Sequence, residues 1–282
     1  MGLLSWVRGD PHASLKAVVG DYELPHFPVV TLRALELIRD EDSSLEEIAQ
    51  AVSGDPASSV RLLATVNSAA FALRRPVDSI DQAVCLIGRN EVESLLISMA
   101  VGNALPRSTA AGFDAKRFWA VAALRAVTAR TLAERLDPAM RSLSFTAALL
   151  QDMAVPILAH HRGGDYCELL ERWHDGTEDL AQLERRKYDW DHTMVASWMC
   201  TKWEMPKILS DAIGAHHGTA EGEEIALAPV SLVSHLREVN EELGFSKLVG
   251  AAERDSGIAE SDSRKLIEEC QEKSKALAAL FA

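Results

Sequence analysis

The spacing of apolar side chains constrains this chain most, because it repeats with the period of an α-helix and almost never alternates as in a strand. The apolar residues of segment 45–52 recur at i, i+3, i+4 and i+7, and the pair Ser44 and Glu47 forms a capping-box pattern in front of them. This combination predicts a helix that begins after Ser44. Similar patterns along the chain predict an all-α fold.

Further helix boundaries follow from capping residues and prolines. Asp55-Pro56 predicts a capping carboxylate followed by a proline at the first helical position, and Ser79 with Gln82 repeats the capping pattern. We predict one helix over residues 143–158 that Pro156 kinks or ends. A polar linker is predicted at residues 219–224. Two or three helices are expected to run through Leu170, Leu183, Val195 and Trp198. The remaining helices are expected over residues 89–105, 113–136, 206–217, 225–243 and 261–281.

The charge balance argues against direct binding to nucleic acid. The chain has 42 acidic and 29 basic residues, a formal charge of −13, which repels polyanions at long range. A local group of arginines could still meet an anion, although solvated arginines at helix ends are the commoner case. The members of this group are Arg61, Arg74, Arg75 and Arg89.

Neither export nor membrane insertion is expected. The apolar stretch at the start is short and is interrupted by Arg8, and no run of about 18 apolar residues is found that could span a bilayer. Four cysteines lie far apart without a C-x-x-C pair, as expected for thiols in a reducing compartment. We therefore expect a cytoplasmic protein without a membrane span.

Histidines are the most promising candidates for chemistry, since nucleotide-binding glycine loops and the G-x-S-x-G motif are missing. Nine histidines are present, several of them beside acidic residues. Imidazoles and carboxylates on neighbouring helices could bind a divalent metal that activates water. The alternative is that such histidines cap helix ends or satisfy buried polar groups.

The order of several short motifs resembles the HDOD family of bacterial signalling domains over roughly residues 20–240. The first half of the resemblance is the more distinctive, because an asparagine-serine segment and a glycine-ended helix occur together there. The motifs are Leu24-Pro25-His26-Phe27-Pro28, segments 53–56, 67–71, 79–88 and 147–152, Phe118-Trp119, Glu184, Asp191-His192, segment 203–206, Ala212-Ile213 and His216-His217.

The resemblance implies an all-α, HD-domain-like multi-helix bundle, in which an N-terminal helical subdomain packs on a degenerate HD-like helical core. We expect residues 1–20 to form an extension and residues 21–220 to form the HDOD-like domain. The HD-like part is expected at about residues 113–240. Residues 221–282 are expected to form helices that pack on the domain or mediate association, for example in a homodimer.

The resemblance to HD-type phosphohydrolases also predicts where metal ligands should lie, and the sequence departs from that pattern. The upstream histidine position falls near Val121, the His-Asp pair reads Gln151-Asp152, and the downstream aspartate falls near His235. Valine cannot bind a metal, and a neutral amide is a weak ligand for a divalent ion. We therefore expect a protein without a catalytic residue or a cofactor.

The resulting hypothesis is a non-catalytic signal-transduction module that acts by binding proteins or a small ligand. By resemblance, its partners would be histidine kinases, response regulators or proteins of cyclic-dinucleotide turnover. Candidate binding residues are Asn67, Phe71, Arg74, Arg75, Glu184 and Trp203.

The alternative hypothesis is a metal-dependent phosphohydrolase or phosphodiesterase with a remodelled site. Manganese, iron or zinc would then be the cofactor. Candidate metal ligands are Asp152, His192, His216, His217 and His235.

Overall fold

The computed structural model describes residues 23–106, 110, 112–175, 178–217, 228–237 and 239–281. These residues form α-helices and a short 3-10 helix, and no strand occurs among them, which confirms the all-α prediction. The helices are α1 Val29–Arg39, α2 Leu45–Ser53, α3 Pro56–Val66, α4 Ile80–Ile87, α5 Arg89–Ala104, α6 Ala115–Leu136, α7 Arg141–Leu150, α8 Ala154–Arg162, α9 Gly164–Asp175, α10 Leu180–Tyr188, α11 His192–Lys202, α12 Lys207–Gly214, α13 Ala228–Val233, α14 Glu241–Ser256 and α15 Glu260–Phe281.

Local capping determines where the N-terminal helices begin. The hydroxyl of Ser44 accepts the backbone N–H of Glu47, and the Glu47 carboxylate accepts the backbone N–H of Ser44, so the predicted capping box is present. Asp55 accepts two backbone N–H groups at the start of α3, where Pro56 takes the first position. These contacts satisfy N–H groups that have no partner within the helix.

The single helix predicted over residues 143–158 is wrong. The chain leaves the helix at residues 151–153, between α7 and α8, and Pro156 lies inside the first turn of α8. A proline is tolerated there because the N–H that it lacks has no intrahelical acceptor in a first turn. The helix is therefore interrupted at this turn and not at the proline.

The single helix predicted over residues 225–243 is also divided. Helix α13 ends at Val233 and α14 begins at Glu241, after Asn240 adopts a left-handed backbone conformation with φ of 58°. Between them, the Arg237 side chain donates hydrogen bonds to the backbone carbonyls of Trp173 and Glu178. The predicted linker 219–224 and the extension 1–20 lie outside the described residues.

Helix α6 is the central element of the second half of the chain. It packs against α7, α13 and α15, and α7 in turn contacts α5 and α12. The C-terminal helix α15 lies along α6, and the ring of Phe281 stacks on Trp119 at 5.1 Å. One side of α15 is buried and forms an apolar stripe, at Ile267, Cys270, Ser274, Leu277 and Phe281.

One described segment, Pro138–Arg162, is long and apolar enough to cross a membrane by length and composition. It comprises the 3-10 helix, α7 and α8, and 89% of its most apolar window is buried inside the protein. Core helices of folded domains meet the same criterion.

Candidate functional site

Four titratable side chains from three segments meet where helices begin and end. Asp152 lies in the turn between α7 and α8, and His192 is the first residue of α11. His216 and His217 follow Ala215, the C-cap residue of α12. One potential ligand atom from each of the four residues lies within 4.8 Å of all the others.

The histidines approach one another through their Nε2 atoms. Nε2 of His192 lies 3.3 Å from Nε2 of His216 and 3.2 Å from Nε2 of His217. The Oδ1 atom of Asp152 lies 3.2 Å from Nε2 of His216 and 3.4 Å from Nε2 of His192. Three ring nitrogens and one carboxylate oxygen therefore surround a common centre.

The opposite ring nitrogen of each histidine has an acceptor of its own. Nδ1 of His192 lies 2.6 Å from Glu184 Oε2, and Nδ1 of His217 lies 3.0 Å from Asp179 Oδ2. Nδ1 of His216 lies 2.7 Å from the carbonyl oxygen of Ile213, which can only accept a hydrogen bond. We assign the ring proton to Nδ1 in each case, which leaves Nε2 as the atom that faces the centre.

Two acidic residues hold His192 in place. The fully buried Glu184 accepts the backbone N–H of His192 at 2.8 Å and a hydrogen bond from the Tyr166 hydroxyl. Asp191 caps α11, because its Oδ1 accepts the backbone N–H groups of Thr193 and Met194. The Asp191-His192 motif is therefore a helix start that points an imidazole into the interior.

Arg125 of α6 is the site residue that sequence reasoning missed. Its guanidinium, 3% exposed, donates to Asp152 Oδ2 through Nη1 and to the carbonyl oxygen of Leu236 through Nε and Nη2. Val121, predicted near the upstream ligand position, instead lines a separate groove together with Arg117. Arg125 is one helical turn further along, so the i+4 spacing on α6 was the available signal.

The other half of the predicted ligand pair, Gln151, does not act as expected for a ligand. It is 1% exposed, and neither its amide oxygen nor its amide nitrogen has a hydrogen-bond partner within the part of the chain that the structure describes. A buried amide without partners destabilises the folded state.

His235 lies beside the four-residue cluster and outside it. It lines a polar cavity of about 20 Å³ together with Arg237 and Lys247. Burial and the positive charge of Lys247 lower the pKa of His235. A cavity of this size holds about one water molecule. Asp152, His192 and His217 reach the same cavity.

Charge pairing controls the protonation of the cluster. Burial by itself would raise the pKa of Asp152. The opposite effect of the Arg125 guanidinium and of the nearby His192 and His216 rings is larger, so this pKa lies well below its ordinary value. Burial lowers the pKa of His192, but the carboxylates of Glu184 and Asp152 raise it well above the ordinary value. Burial and the neighbouring His217 lower the pKa of His216 to about 4.

The predicted partner-binding residues in the N-terminal half divide into structural and exposed ones. The Asn67 amide donates to the carbonyl of Val77 at 2.8 Å and accepts its N–H at 2.9 Å, which closes the loop between α3 and α4. Phe71 is buried, with the Arg130 guanidinium 4.5 Å above its ring, so its side chain is not available to a partner. Arg74 and Arg75 are exposed in the same loop.

Glu184 and Trp203, also predicted to bind a ligand or partner, lie elsewhere. Glu184 orients His192, as described above. Trp203 stacks on Phe27 at 5.0 Å and its indole N–H donates to the carbonyl of Pro25 at 2.9 Å. Trp203 thus fastens the segment before α1 to the end of α11. The six predicted residues do not form one surface.

The donor set fits one metal ion better than two. Ligand atoms at about 2.0 Å from zinc in a tetrahedron lie about 3.3 Å apart. Four of the six pairs among these donor atoms have the distances given above, which fall between 3.2 and 3.4 Å. A second ion would need the other oxygen of Asp152, which is already paired with the Arg125 guanidinium.

The comparisons with known proteins agree with this architecture. A family model described as the HDOD domain matches residues 24–219. A protein of Shewanella amazonensis SB2B, whose name assigns it to the phosphohydrolases, has a TM-score of 0.72 at 22% identity and covers 97% of this chain and 100% of its own. An HDOD domain protein of unknown function from Geobacter sulfurreducens has a TM-score of 0.69 at 20% identity, over 96% of this chain and 95% of its own.

Two further relatives are longer than this chain. A protein of Marinobacter aquaeolei VT8, whose name assigns it to signal transduction, has a TM-score of 0.71 at 20% identity, over 96% of this chain and 64% of its own. An uncharacterized protein of Treponema pallidum (strain Nichols) is 24% identical over 203 residues. This chain spans 39% of the length of that curated relative, and the match covers 72% of this chain.

Proposed function

This chain belongs to the HDOD domain family, and from that membership we propose that it is a non-catalytic signal-transduction module that acts by binding other proteins. The HD-like half supplies a rigid helical body. The remodelled cluster around Asp152 belongs to the interior of that body and does not carry out hydrolysis.

The observation that carries this proposal is the ion pair between Arg125 and Asp152. Metal-dependent hydrolysis needs an ion with an open coordination position, at which bound water loses a proton near neutral pH. Here three imidazoles and the first carboxylate oxygen already surround the centre, and Arg125 takes the second oxygen. An ion bound to all four donors would have a closed coordination shell.

A metal-dependent phosphodiesterase is the second candidate function. It is favoured by the histidine cluster itself, since histidine is the commonest metal ligand in proteins. The name of the Shewanella amazonensis protein points in the same direction. Our proposal predicts that the cluster nevertheless supports no turnover.

A hydrolysis assay separates the two functions. The assay compares untagged wild type with Asp152→Ala and with a control, Asp255→Ala, at an exposed position. Each protein is supplied in turn with manganese, iron and zinc. Hydrolysis of bis(p-nitrophenyl) phosphate and of cyclic dinucleotides is then measured. We expect all three proteins to give the same background rate. Metal-dependent hydrolysis that is present in wild type and in Asp255→Ala, but lost in Asp152→Ala, would refute the non-catalytic proposal.

The exposed loop between α3 and α4 is our candidate for partner binding. Arg74 and Arg75 give it a local positive charge on a chain whose formal net charge is −13. Such a loop favours an acidic surface on the partner. Binding can be measured against candidate histidine kinases, response regulators and cyclic-dinucleotide turnover proteins. We expect the double variant Arg74→Glu/Arg75→Glu to weaken binding, and Lys275→Glu on α15 to leave it unchanged; equal binding by both variants would count against this loop.

A further inference from the structure

The arrangement of the three imidazoles at the cluster requires a positive charge at its centre. Each ring turns its Nδ1 outward to an acceptor, so three Nε2 atoms face inward. The carboxylate oxygen Oδ1 of Asp152 faces the same point, and it is buried without a well-directed hydrogen bond within the described ranges. Four electron-rich atoms this close repel one another unless a proton or a metal ion lies between them.

The outward contacts are those of metal-binding histidines. Such histidines donate their second ring N–H to a carboxylate or a backbone carbonyl, which fixes the tautomer and the direction of the ring. Here the acceptors are the carboxylates of Glu184 and Asp179 and the carbonyl of Ile213. A histidine that only caps a helix end needs one hydrogen-bond partner. Here each of the three rings has an outward partner at Nδ1 and also turns its Nε2 toward the same centre.

We propose that this cluster is a closed, four-coordinate binding site for a single divalent cation of the zinc class. Nitrogen ligands together with one carboxylate suit zinc better than magnesium or calcium, which prefer oxygen. The ligand atoms are Asp152 Oδ1, His192 Nε2, His216 Nε2 and His217 Nε2.

Arg125 explains why the site takes one ion. Its guanidinium is a permanent cation that pairs with Asp152 Oδ2 and is anchored to the carbonyl of Leu236. The Asp152 carboxylate would therefore bridge the metal ion and the guanidinium. In a two-metal site, the second ion would take the position that the guanidinium occupies here.

The bound ion has a structural role in this geometry. It joins the turn between α7 and α8 to the start of α11 and to the segment after α12, which are three separate parts of the chain. Because the ligands come together only in the folded chain, binding stabilises the folded state. The inference does not depend on how the module recognises its partners.

Metal binding can be tested without any activity assay. Untagged full-length protein is stripped with chelator, desalted and titrated with Zn²⁺, and the retained metal is measured by elemental mass spectrometry. We expect one equivalent for wild type and for the control His235→Gln, whose side chain is next to the cluster and outside the ligand set. The variants Asp152→Asn and His217→Gln should bind at least tenfold more weakly.

Two further measurements protect the test against variants that fail to fold and against surface binding. Co²⁺ bound to the wild-type protein should give the intense visible absorption of a tetrahedral site. The variant His161→Gln should bind Zn²⁺ as wild type does, because the proposed site does not include the surface pair His160-His161. Glu184→Gln should weaken Zn²⁺ binding by about 10- to 100-fold, the usual effect of removing the partner of a metal-bound histidine.

Several results would overturn the proposal. These are two equivalents of metal in the wild type, an octahedral cobalt spectrum, or equal affinity in wild type and His217→Gln with native helicity. Loss of binding in His161→Gln would reduce the observation to an adventitious ion. Because metal content is measured separately from hydrolysis, failure of this site and failure of the non-catalytic proposal can be told apart.

Discussion

Removal of one partner from the buried pair of Arg125 and Asp152 should cost more stability than removal of one partner from an exposed ion pair. We consider Arg125→Met, which keeps the length and the apolar stem of the side chain but removes its charge and its donors. The side chains of Arg125 and Asp152 are 3% and 10% exposed, so the remaining carboxylate cannot regain full hydration. Removal of one partner of a buried ion pair costs about 3–5 kcal/mol.

Two local details place the expected cost within that range. His192 still lies 3.4 Å from Asp152 Oδ1 and retains part of the compensating charge, which favours the lower end. The carbonyl of Leu236 loses both of its donors from Arg125, which adds about 1 kcal/mol. We therefore expect Arg125→Met to lower the free energy of unfolding by about 3–4 kcal/mol, a large share of the roughly 5–15 kcal/mol typical of domains.

Urea denaturation followed by far-ultraviolet circular dichroism measures this difference, with chelator present so that no metal contributes. The control is Arg264→Met, because Arg264 and Glu260 form an i,i+4 pair whose side chains are 42% and 59% exposed. We expect no measurable change in the free energy of unfolding there, because solvent screens an exposed pair. The double variant Arg125→Met/Asp152→Asn should recover about 2 kcal/mol relative to additivity. Equal costs for the two arginine variants, or strict additivity in the double variant, would refute the reasoning.

Four further outcomes follow from the same structure. Gln151→Met should raise the free energy of unfolding by about 1–2 kcal/mol in denaturation experiments, because it removes a buried amide without partners; a loss would mean that the amide is satisfied. Gly102→Ala should lower it by about 1–3 kcal/mol, because a Cβ there would lie 2.8 Å from the Phe281 ring, while Gly164→Ala, with open space around it, serves as the control. The pKa of Asp55 is lowered, chiefly by its hydrogen bond with Ser58, so the ionised carboxylate stabilises the fold above the unfolded pKa, and this stabilisation is lost as the pH falls through the folded pKa. Asp55→Ala should therefore destabilise the protein at neutral pH and have a smaller effect in acid. A pH-independent effect would contradict this. Zinc at a hundredfold excess over its dissociation constant should stabilise the chelator-treated protein by about 2.7 kcal/mol, and an unchanged melting temperature would argue against the site.

Local patterns in the sequence were sufficient for most helices and for several of their ends. The caps at Ser44 and Asp55 and the buried stripe of α15 all depend on residues two to four positions apart. Those neighbours meet as soon as a helix forms, whatever the rest of the chain does. The sequence therefore predicted the all-α class, and the order of motifs indicated the family.

The candidate site was predictable only in part. Asp152, His192, His216 and His217 could be selected as metal-binding residue types, but His235 was selected on equal terms and lies outside the set. Nothing in their local spacing distinguishes a ligand from a neighbour. That distinction depends on the direction of each ring, which is set by acceptors such as Glu184 in other helices.

What the tertiary structure alone decided is the pairing of groups that are distant in the sequence. Arg125 meets Asp152 across 27 positions, and His192 meets His217 across 25. Asp152 lies in the turn between α7 and α8, a turn that the sequence analysis had placed inside a single helix. Helical periodicity fixes which side of a helix is buried, whereas the packing of helix ends against one another determines which charged groups share one centre.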